Sequence, residues 1–151
     1  MRMLVLVAVL FAVACSAVSA APPIPPPKRP AAGPPPAWIH TASGDRWLGY
    51  SSYCWKAAQK GVCADYIQVG CTGRHRLRQP IPVRIGEVVT VHFGFRATQV
   101  GVSEGRKSVA HTVAGRTVRF RVERLGLLET GGRPLADRGN DASYVGCLVR
   151  R

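Results

Sequence analysis

Apolar and polar residues alternate with a period of two over much of the second half of the chain. The segment Val88–Phe95 carries four apolar residues of one parity, Val89, Val91, Phe93 and Phe95. The segment Thr117–Glu123 repeats the pattern with Val118, Phe120 and Val122. Alternation of this kind is typical of β-strands that turn one face to a core and the other to solvent. We therefore predict two half-buried strands here.

Shorter segments with the same pattern lie between turn signals. Ile81–Ile85 alternates, and Pro80 and Pro82 indicate an edge strand, because proline has no N–H to donate to a neighbour. Three further runs are bounded by Gly, Ser, Asn or Asp: Gln99–Ser103, Ser108–Val113 and Tyr144–Val149. Helix signals are confined to Trp55–Lys60. The pattern predicts an all-β sandwich or barrel of antiparallel strands over residues 38–151.

The N-terminus has the pattern of an export signal. Arg2 precedes an unbroken apolar run, Leu4–Ala14, and small residues follow it through Ala21. A basic start, a short apolar run and small residues at the cleavage position define a secretory signal peptide. We therefore expect residues 1–20 to be a signal peptide and the protein to be exported.

Two alternatives for this leader remain open. The apolar segment Leu4–Ala21 contains no charge, so an uncleaved membrane anchor is one of them. The other is lipidation, because Ala12-Val13-Ala14-Cys15 resembles the lipobox of bacterial lipoproteins, with Ala12 in place of the usual leucine. In that case Cys15 carries the lipid and becomes the mature N-terminus. We expect membrane contact only through such an N-terminal anchor.

Proline dominates residues 21–37, which hold nine of the 12 prolines of the chain. Such a segment favours the solvated polyproline II helix and cannot bury a core of its own. We expect a disordered, proline-rich stalk that separates the domain from a surface.

The chain is strongly basic, with 21 Lys and Arg against 8 Asp and Glu and a net charge of +13. An excess of this size favours adhesion to anionic polymers and lipids without a sequence-specific site. Aromatic residues make up 7% of the chain and do not interleave with the basic ones. We therefore expect no specific nucleic-acid partner.

Four cysteines follow the leader: Cys54, Cys63, Cys71 and Cys147. An even set in an exported domain indicates disulfides. Zinc is the rival interpretation, but the spacing contains no Cys-x-x-Cys and no histidine pair at ligand spacing, so we expect no metal. Four cysteines allow three connectivities. We favour the pairs Cys54–Cys63, across a hairpin, and Cys71–Cys147.

The segment Gly49–Trp55, followed by Val62–Tyr66, is the most distinctive stretch of the chain. Together with the strand and turn at Pro82–Glu87, it resembles a group of exported bacterial β-sandwich domains, many of them on lipoproteins, that open on a Tyr-Cys-Trp…Cys hairpin. The resemblance implies an immunoglobulin-like fold and the Cys54–Cys63 pairing, and it implies no catalytic residue. We expect Trp55 to pack in the core beside the disulfide.

The sequence has no pattern typical of an active site. The four histidines are His40, His75, His92 and His111. We interpret His92 as an exposed strand residue and His111 as partly buried and hydrogen-bonded. No serine lies in a Gly-x-Ser-x-Gly elbow, and Asp137 and Asp141 fit a hairpin turn better than a calcium loop. We therefore expect neither an enzyme nor a cofactor.

Arginines of outward parity in strands, together with a basic loop, predict a binding surface. The candidate residues for an anionic ligand are Arg119 and Arg121 in a strand and Arg74, Arg76 and Arg78 in the loop. Arginine recognises carboxylate and phosphate through paired N–H donors. Arg84 and Arg96 have outward parity as well, and whether they join the patch depends on strand order.

These observations predict a non-catalytic binding or structural module of the bacterial cell envelope, which adheres to anionic polymer or lipid headgroups. The alternative is a module that docks another envelope protein or inhibits a secreted enzyme, through a sheet edge or the turns around Trp47–Tyr53.

Overall fold

The computed structural model describes residues 22, 24–57, 60–65, 70–72, 77, 79–137 and 139–151. The predicted signal peptide, including Cys15, lies outside the described residues. Every regular element within the described ranges is a β-strand. The described residues contain no helix that is long and apolar enough to cross a membrane.

Twelve strands lie in this part of the chain, and in sequence order they are β1 (Trp38–Thr41), β2 (Gly44–Trp47), β3 (Gly49–Ala57), β4 (Lys60–Asp65), β5 (Pro80–Val83), β6 (Val88–His92), β7 (Ala97–Glu104), β8 (Lys107–Ser108), β9 (His111–Ala114), β10 (Thr117–Arg121), β11 (Gly126–Pro134) and β12 (Asp141–Arg150).

The strands form two sheets that enclose one core. Sheet A has the order β2-β1-β6-β10-β9, and sheet B has the order β4-β3-β12-β11-β7-β8. Neighbours within both sheets are antiparallel, except that β5 pairs in parallel with the second half of β12. The predicted all-β sandwich is confirmed.

The pairing is that of an immunoglobulin-like sandwich with an insertion. Strands β1-β6-β10-β9 occupy the places of strands A, B, E and D in such a fold, and β7-β11-β12 occupy those of C, F and G. The strands β2, β3 and β4 are inserted between β1 and β5. The inserted β3–β4 hairpin extends sheet B beyond β12.

Alternate residues of the two sheets fill the core as the pattern predicted. Val89 and Val91 of β6 and Val118 of β10 are fully buried, and their chain neighbours face outward. The predicted strand Ile81–Ile85 is wrong at its C-terminal end. Ile85 is 61% exposed, because β5 ends at Val83 and the chain then turns.

Both favoured disulfides are present. Cys54–Cys63 joins directly opposite positions of β3 and β4, and Cys71–Cys147 ties the segment after β4 to β12. Trp55 packs against the core with its ring 5.4 Å from that of Phe95, as predicted. Residues 55–57 belong to β3, so the expected helical turn is wrong there.

Part of the proline-rich segment lies against the sandwich: Gly33, Pro34 and Ala37 are buried, whereas residues 24–26, 28, 29 and 31 are exposed. The Tyr144 hydroxyl donates to the carbonyl of Pro35 at 2.6 Å, and the Trp47 indole N–H donates to the carbonyl of Ile24 at 2.5 Å. The proline-rich segment is therefore not fully solvated at residues 33–37, and the disordered stalk stays a prediction for the rest of the segment. Proline segments keep their carbonyl acceptors, and aromatic donors of the sandwich bind them.

Candidate functional site: a basic end of the sandwich

Arg119 and Arg121 lie on the outer face of sheet A, where both side chains are exposed. They alternate with the buried Val118 and Phe120, so the predicted parity is confirmed. Alternate residues of a strand lie about 7 Å apart on one face. The three other predicted arginines, Arg74, Arg76 and Arg78, lie outside the described residues.

Two connections meet beside Arg121. The N–H of Gly86, in the β5–β6 turn, donates to the carbonyl of Val122 at 2.7 Å. The Arg121 guanidinium in turn donates to the carbonyl of Gly86 at 2.6 Å. The turn that carries Arg84 is therefore held against the end of β10.

Glu87 closes the same turn. Its carboxylate accepts the backbone N–H of Ala42 at 2.7 Å and that of Arg84 at 3.0 Å. Partial burial on its own raises the pKa of Glu87, but these two hydrogen bonds and the charges of Arg151 and Arg84 outweigh burial and lower it. The ionised carboxylate joins the β1–β2 turn to the β5–β6 turn.

Glu104, the last residue of β7, binds the backbone of the β10–β11 connection. Its side chain is buried, with 2% of its surface exposed, and it accepts the backbone N–H groups of Glu123 and Arg124. Burial raises the pKa of Glu104, and the two backbone hydrogen bonds offset part of that rise. The contact fixes the β10–β11 connection beside the β7–β8 turn and leaves Arg124 exposed.

These contacts gather basic side chains that are far apart in sequence, and we call the resulting surface the basic end. It comprises eight exposed residues: Arg84, Arg106, Lys107, Arg119, Arg121, Arg124, Arg150 and Arg151. Three carboxylates belong to the same strand ends and connections: Glu87, Glu104 and Glu123. Within the described ranges, the one salt bridge joins His40 to Asp45, so none of the eight cations is paired with a carboxylate.

Arg96 does not belong to this surface. It lies in the β6–β7 connection at the opposite end of the sandwich, where its carbonyl accepts the N–H of Leu135. Most members of the basic end were missed in the sequence because they sit in turns and at strand ends. Only the order of the strands brings those positions together.

A second polar cluster lies on the outer face of sheet A. The ring of His92 stacks on that of Trp38, with centroids 3.8 Å apart and planes 3° apart. His92 is half-buried rather than exposed as predicted. The pKa of His92 is lowered, mainly by burial. The charge of Asp45 opposes this shift, and His40 adds to it. The register places Thr90 and Thr117, but no serine or cysteine, opposite His40 and His92.

The remaining polar candidates have structural roles. The two ring nitrogens of His111 lie 2.9 Å and 3.1 Å from the carbonyl oxygens of Val109 and Val100, which confirms a partly buried, hydrogen-bonded histidine. Asp137 accepts the N–H of Gly139 within the β11–β12 connection, as a turn residue does. No group of three or more His, Cys, Asp or Glu among the described residues could hold a metal ion.

The comparisons with known proteins found no relative. No protein-family model matches the chain, and neither a curated protein nor a solved structure matches it significantly. The fold and surface define the class: a disulfide-linked, immunoglobulin-like β-sandwich with a basic end.

Proposed function

We propose that the protein is a non-catalytic, exported module whose basic end adheres to anionic polymer or lipid headgroups of a bacterial cell envelope. The observation that carries this proposal is the set of eight exposed cations with no carboxylate partner within salt-bridge distance in the described part of the chain. Two disulfides in a small β-domain are consistent with an exported protein, because they persist in oxidising compartments.

The chemistry of the basic end suits repeated phosphate or carboxylate groups. Each exposed ion pair is worth about 1 kcal/mol or less, so a single contact gives no stable complex. A polymer or membrane surface presents many anions at once and engages several cations together. Attraction of this kind weakens as salt rises, since the Debye length falls from about 30 Å at 0.01 M to about 8 Å at 0.15 M.

The test uses vesicles of phosphatidylglycerol and phosphatidylcholine, with polyphosphate as a second probe, in co-sedimentation and light-scattering measurements at rising salt. The first variant reverses three charges of the basic end, R119E/R124E/R150E. The matched control reverses three exposed charges at the opposite end, K60E/R96E/R116E. Both variants change the net charge by the same amount, so a difference between them reports the location of the site.

We expect the first variant to lose most of its binding at low salt and the control to keep most of it. Equal losses in the two variants would show attraction by net charge alone. Absence of wild-type binding at low salt, or binding that salt does not weaken, would overturn the proposal.

The protein-docking alternative keeps both of its candidate surfaces. Leu48 and Tyr53 are buried, but Trp47, Gly49 and Tyr50 are half-buried, and Trp47 and Gly49 line a cavity of about 210 Å³. The edge strand β4 is the other surface, with Val62 38% exposed. A partner retained at high salt would favour this alternative.

A further inference from the structure

A polar groove crosses the outer face of sheet B, on a different surface from the basic end. The middle of the groove is formed by Gly101 of β7, Gly131 of β11 and Ser143 of β12, which lie in register across the three strands. Their chain neighbours Val102 and Thr130 point into the core. The floor of the groove is therefore backbone and one small side chain.

Polar side chains form two walls along this floor. On one side Glu129 lies beside Ser103, which pairs with Ser108. On the other side lie Arg133, Asp141 and Gln99. Glu129 and Arg133, one in each wall, are four positions apart in β11, a span of about 13 Å. The groove has a volume of about 450 Å³, within the range of about 300–1,000 Å³ for small-molecule sites.

The two glycines of the floor differ in what surrounds them. A Cβ on Gly131 would clash with the backbone carbonyl of Ala142, so the close approach of β11 and β12 requires glycine there. A Cβ on Gly101 would meet no atom within 4 Å. The space above Gly101 is open, and a larger side chain at that position would occupy the groove.

Two irregularities in the strand pairing meet at the groove. The register shifts between Gly131 and Arg133 where β11 pairs with β7, and between Ala142 and Tyr144 where β12 pairs with β3. In the first of these Gln99 adopts a left-handed backbone conformation, with φ of 49°. Bulges and strained residues occur preferentially at binding and active sites, where they redirect side chains.

Most of the hydrogen-bonding capacity of the walls is unused. Gln99, Glu129 and the Arg133 guanidinium make no side-chain hydrogen bond within the described residues, and neither do the hydroxyls of Ser52, Ser103 and Ser143. One carboxylate oxygen of Asp141 accepts the N–H of Cys54, which fixes its position. Several donors and acceptors therefore face one concave surface.

The charge of the groove differs from that of the protein. The lining of the groove includes two acidic residues, Glu129 and Asp141, and one basic residue, Arg133. The chain as a whole carries a net charge of +13. A neutral or slightly acidic groove with many hydrogen-bonding groups suits a ligand with many hydroxyls and no negative charge. Carboxylate, guanidinium and amide groups each bind adjacent hydroxyls of such a ligand in pairs.

We propose that this groove binds a short neutral glycan across β7, β11 and β12. Sugar rings lie on the Gly101–Gly131 floor, and their hydroxyls bond to Glu129, Arg133 and Gln99. The inference is independent of the proposed adhesion, because neither the surface nor the type of ligand is shared.

The test is calorimetric titration of the full-length protein with N,N′,N″,N‴-tetraacetylchitotetraose and with maltotetraose, and with tetragalacturonate as an anionic comparison. Gly101→Phe fills the groove. Gly61→Phe is the matched control, since Gly61 lies in the edge strand β4 with open space around it and no positive φ. Circular dichroism confirms that both variants are folded.

We expect saturable binding of a neutral tetrasaccharide that salt does not weaken. Gly101→Phe weakens it at least tenfold, because the ring takes the place of the ligand, and Gly61→Phe leaves it unchanged. Gln99→Gly weakens binding by about fivefold through the loss of one hydrogen bond without lowering stability, since glycine tolerates the positive φ.

Three results would overturn the proposal: no binding of either neutral tetrasaccharide at millimolar concentration, equal binding by the Gly101→Phe variant, or preference for tetragalacturonate. The first two leave the adhesion proposal intact, since that proposal depends on salt-sensitive binding at the basic end.

Discussion

The hydroxyl of Tyr144 donates to the carbonyl oxygen of Pro35 at 2.6 Å, across 109 residues of sequence. Tyr144 is fully buried in β12. Burial is the main reason that its pKa is raised, and the neighbouring Tyr50 raises it further. The phenol therefore stays protonated and keeps its donor. This bond is one of three by which aromatic side chains hold the proline-rich segment on the sandwich, together with those from Trp47 to Ile24 and from Tyr50 to Pro34.

We predict that Tyr144→Phe loosens this segment, while the bonds from Trp47 and Tyr50 remain. Loss of one hydrogen bond, with a partly buried acceptor left unpaired, costs about 1 kcal/mol. Hydrogen exchange at the non-proline amides of residues 24–37 should accelerate, and denaturant unfolding should show the loss of stability. Tyr50→Phe is the control, because its bond to Pro34 is longer, 3.2 Å. Unchanged exchange in Tyr144→Phe would refute the prediction.

The two disulfides should contribute unequally to stability. Cys71–Cys147 spans 76 residues and Cys54–Cys63 spans 9. In the chain-entropy model these loops correspond to about 4–5 and about 2–3 kcal/mol. Replacing each pair by serine and measuring urea unfolding checks the order. A larger loss from the Cys54/Cys63 replacement would contradict it.

Glu104 should make stability depend on pH. Because burial raises its pKa in the folded protein, the native state holds a proton that the unfolded chain has released. The free energy of unfolding should therefore fall as pH rises from about 4.5 through the raised pKa. Urea unfolding at several pH values, with Glu104→Gln as the non-titrating reference, isolates this effect. A difference between the two proteins that is constant with pH would exclude it.

The stack of Trp38 on His92 should be visible in the titration of the imidazole. Burial lowers the pKa of His92, so folding favours the neutral ring, and the stability it contributes is lost as pH falls below about 6.5. NMR titration of the ring protons measures this pKa. In Trp38→Ala the ring is more exposed to water, and its pKa should rise toward the ordinary value. An unchanged pKa would show that Trp38 does not shield the ring.

The strands that the sequence predicted well are those with one buried face and one solvent face. In β6 and β10 every second residue is apolar, so the pattern is visible without other information. Strand β11 was missed because it breaks the pattern. Leu127 and Leu128 are adjacent, and Thr130 is buried at a core position, where its hydroxyl donates to the carbonyl of Gly101.

The candidate surfaces were harder to predict than the strands. Parity placed Arg119 and Arg121 on an outer face. Arg124 joins them through the bond of its backbone N–H to Glu104, and Arg151 through the bond of its backbone N–H to the carbonyl of Val83. The groove on sheet B depends on register, since it lies where two pairings shift by one residue. No local sequence signal specifies which residue of another strand lies opposite.

The position of β12 has a consequence for the order of events during biogenesis. This strand pairs with β11 on one side and with β3 and β5 on the other, and it provides Cys147. Neither β5 nor Cys71 can reach its final partner before residues 141–150 have been delivered. The sandwich can therefore close only after the last strand of the domain has been synthesised, and β5 waits unpaired until then.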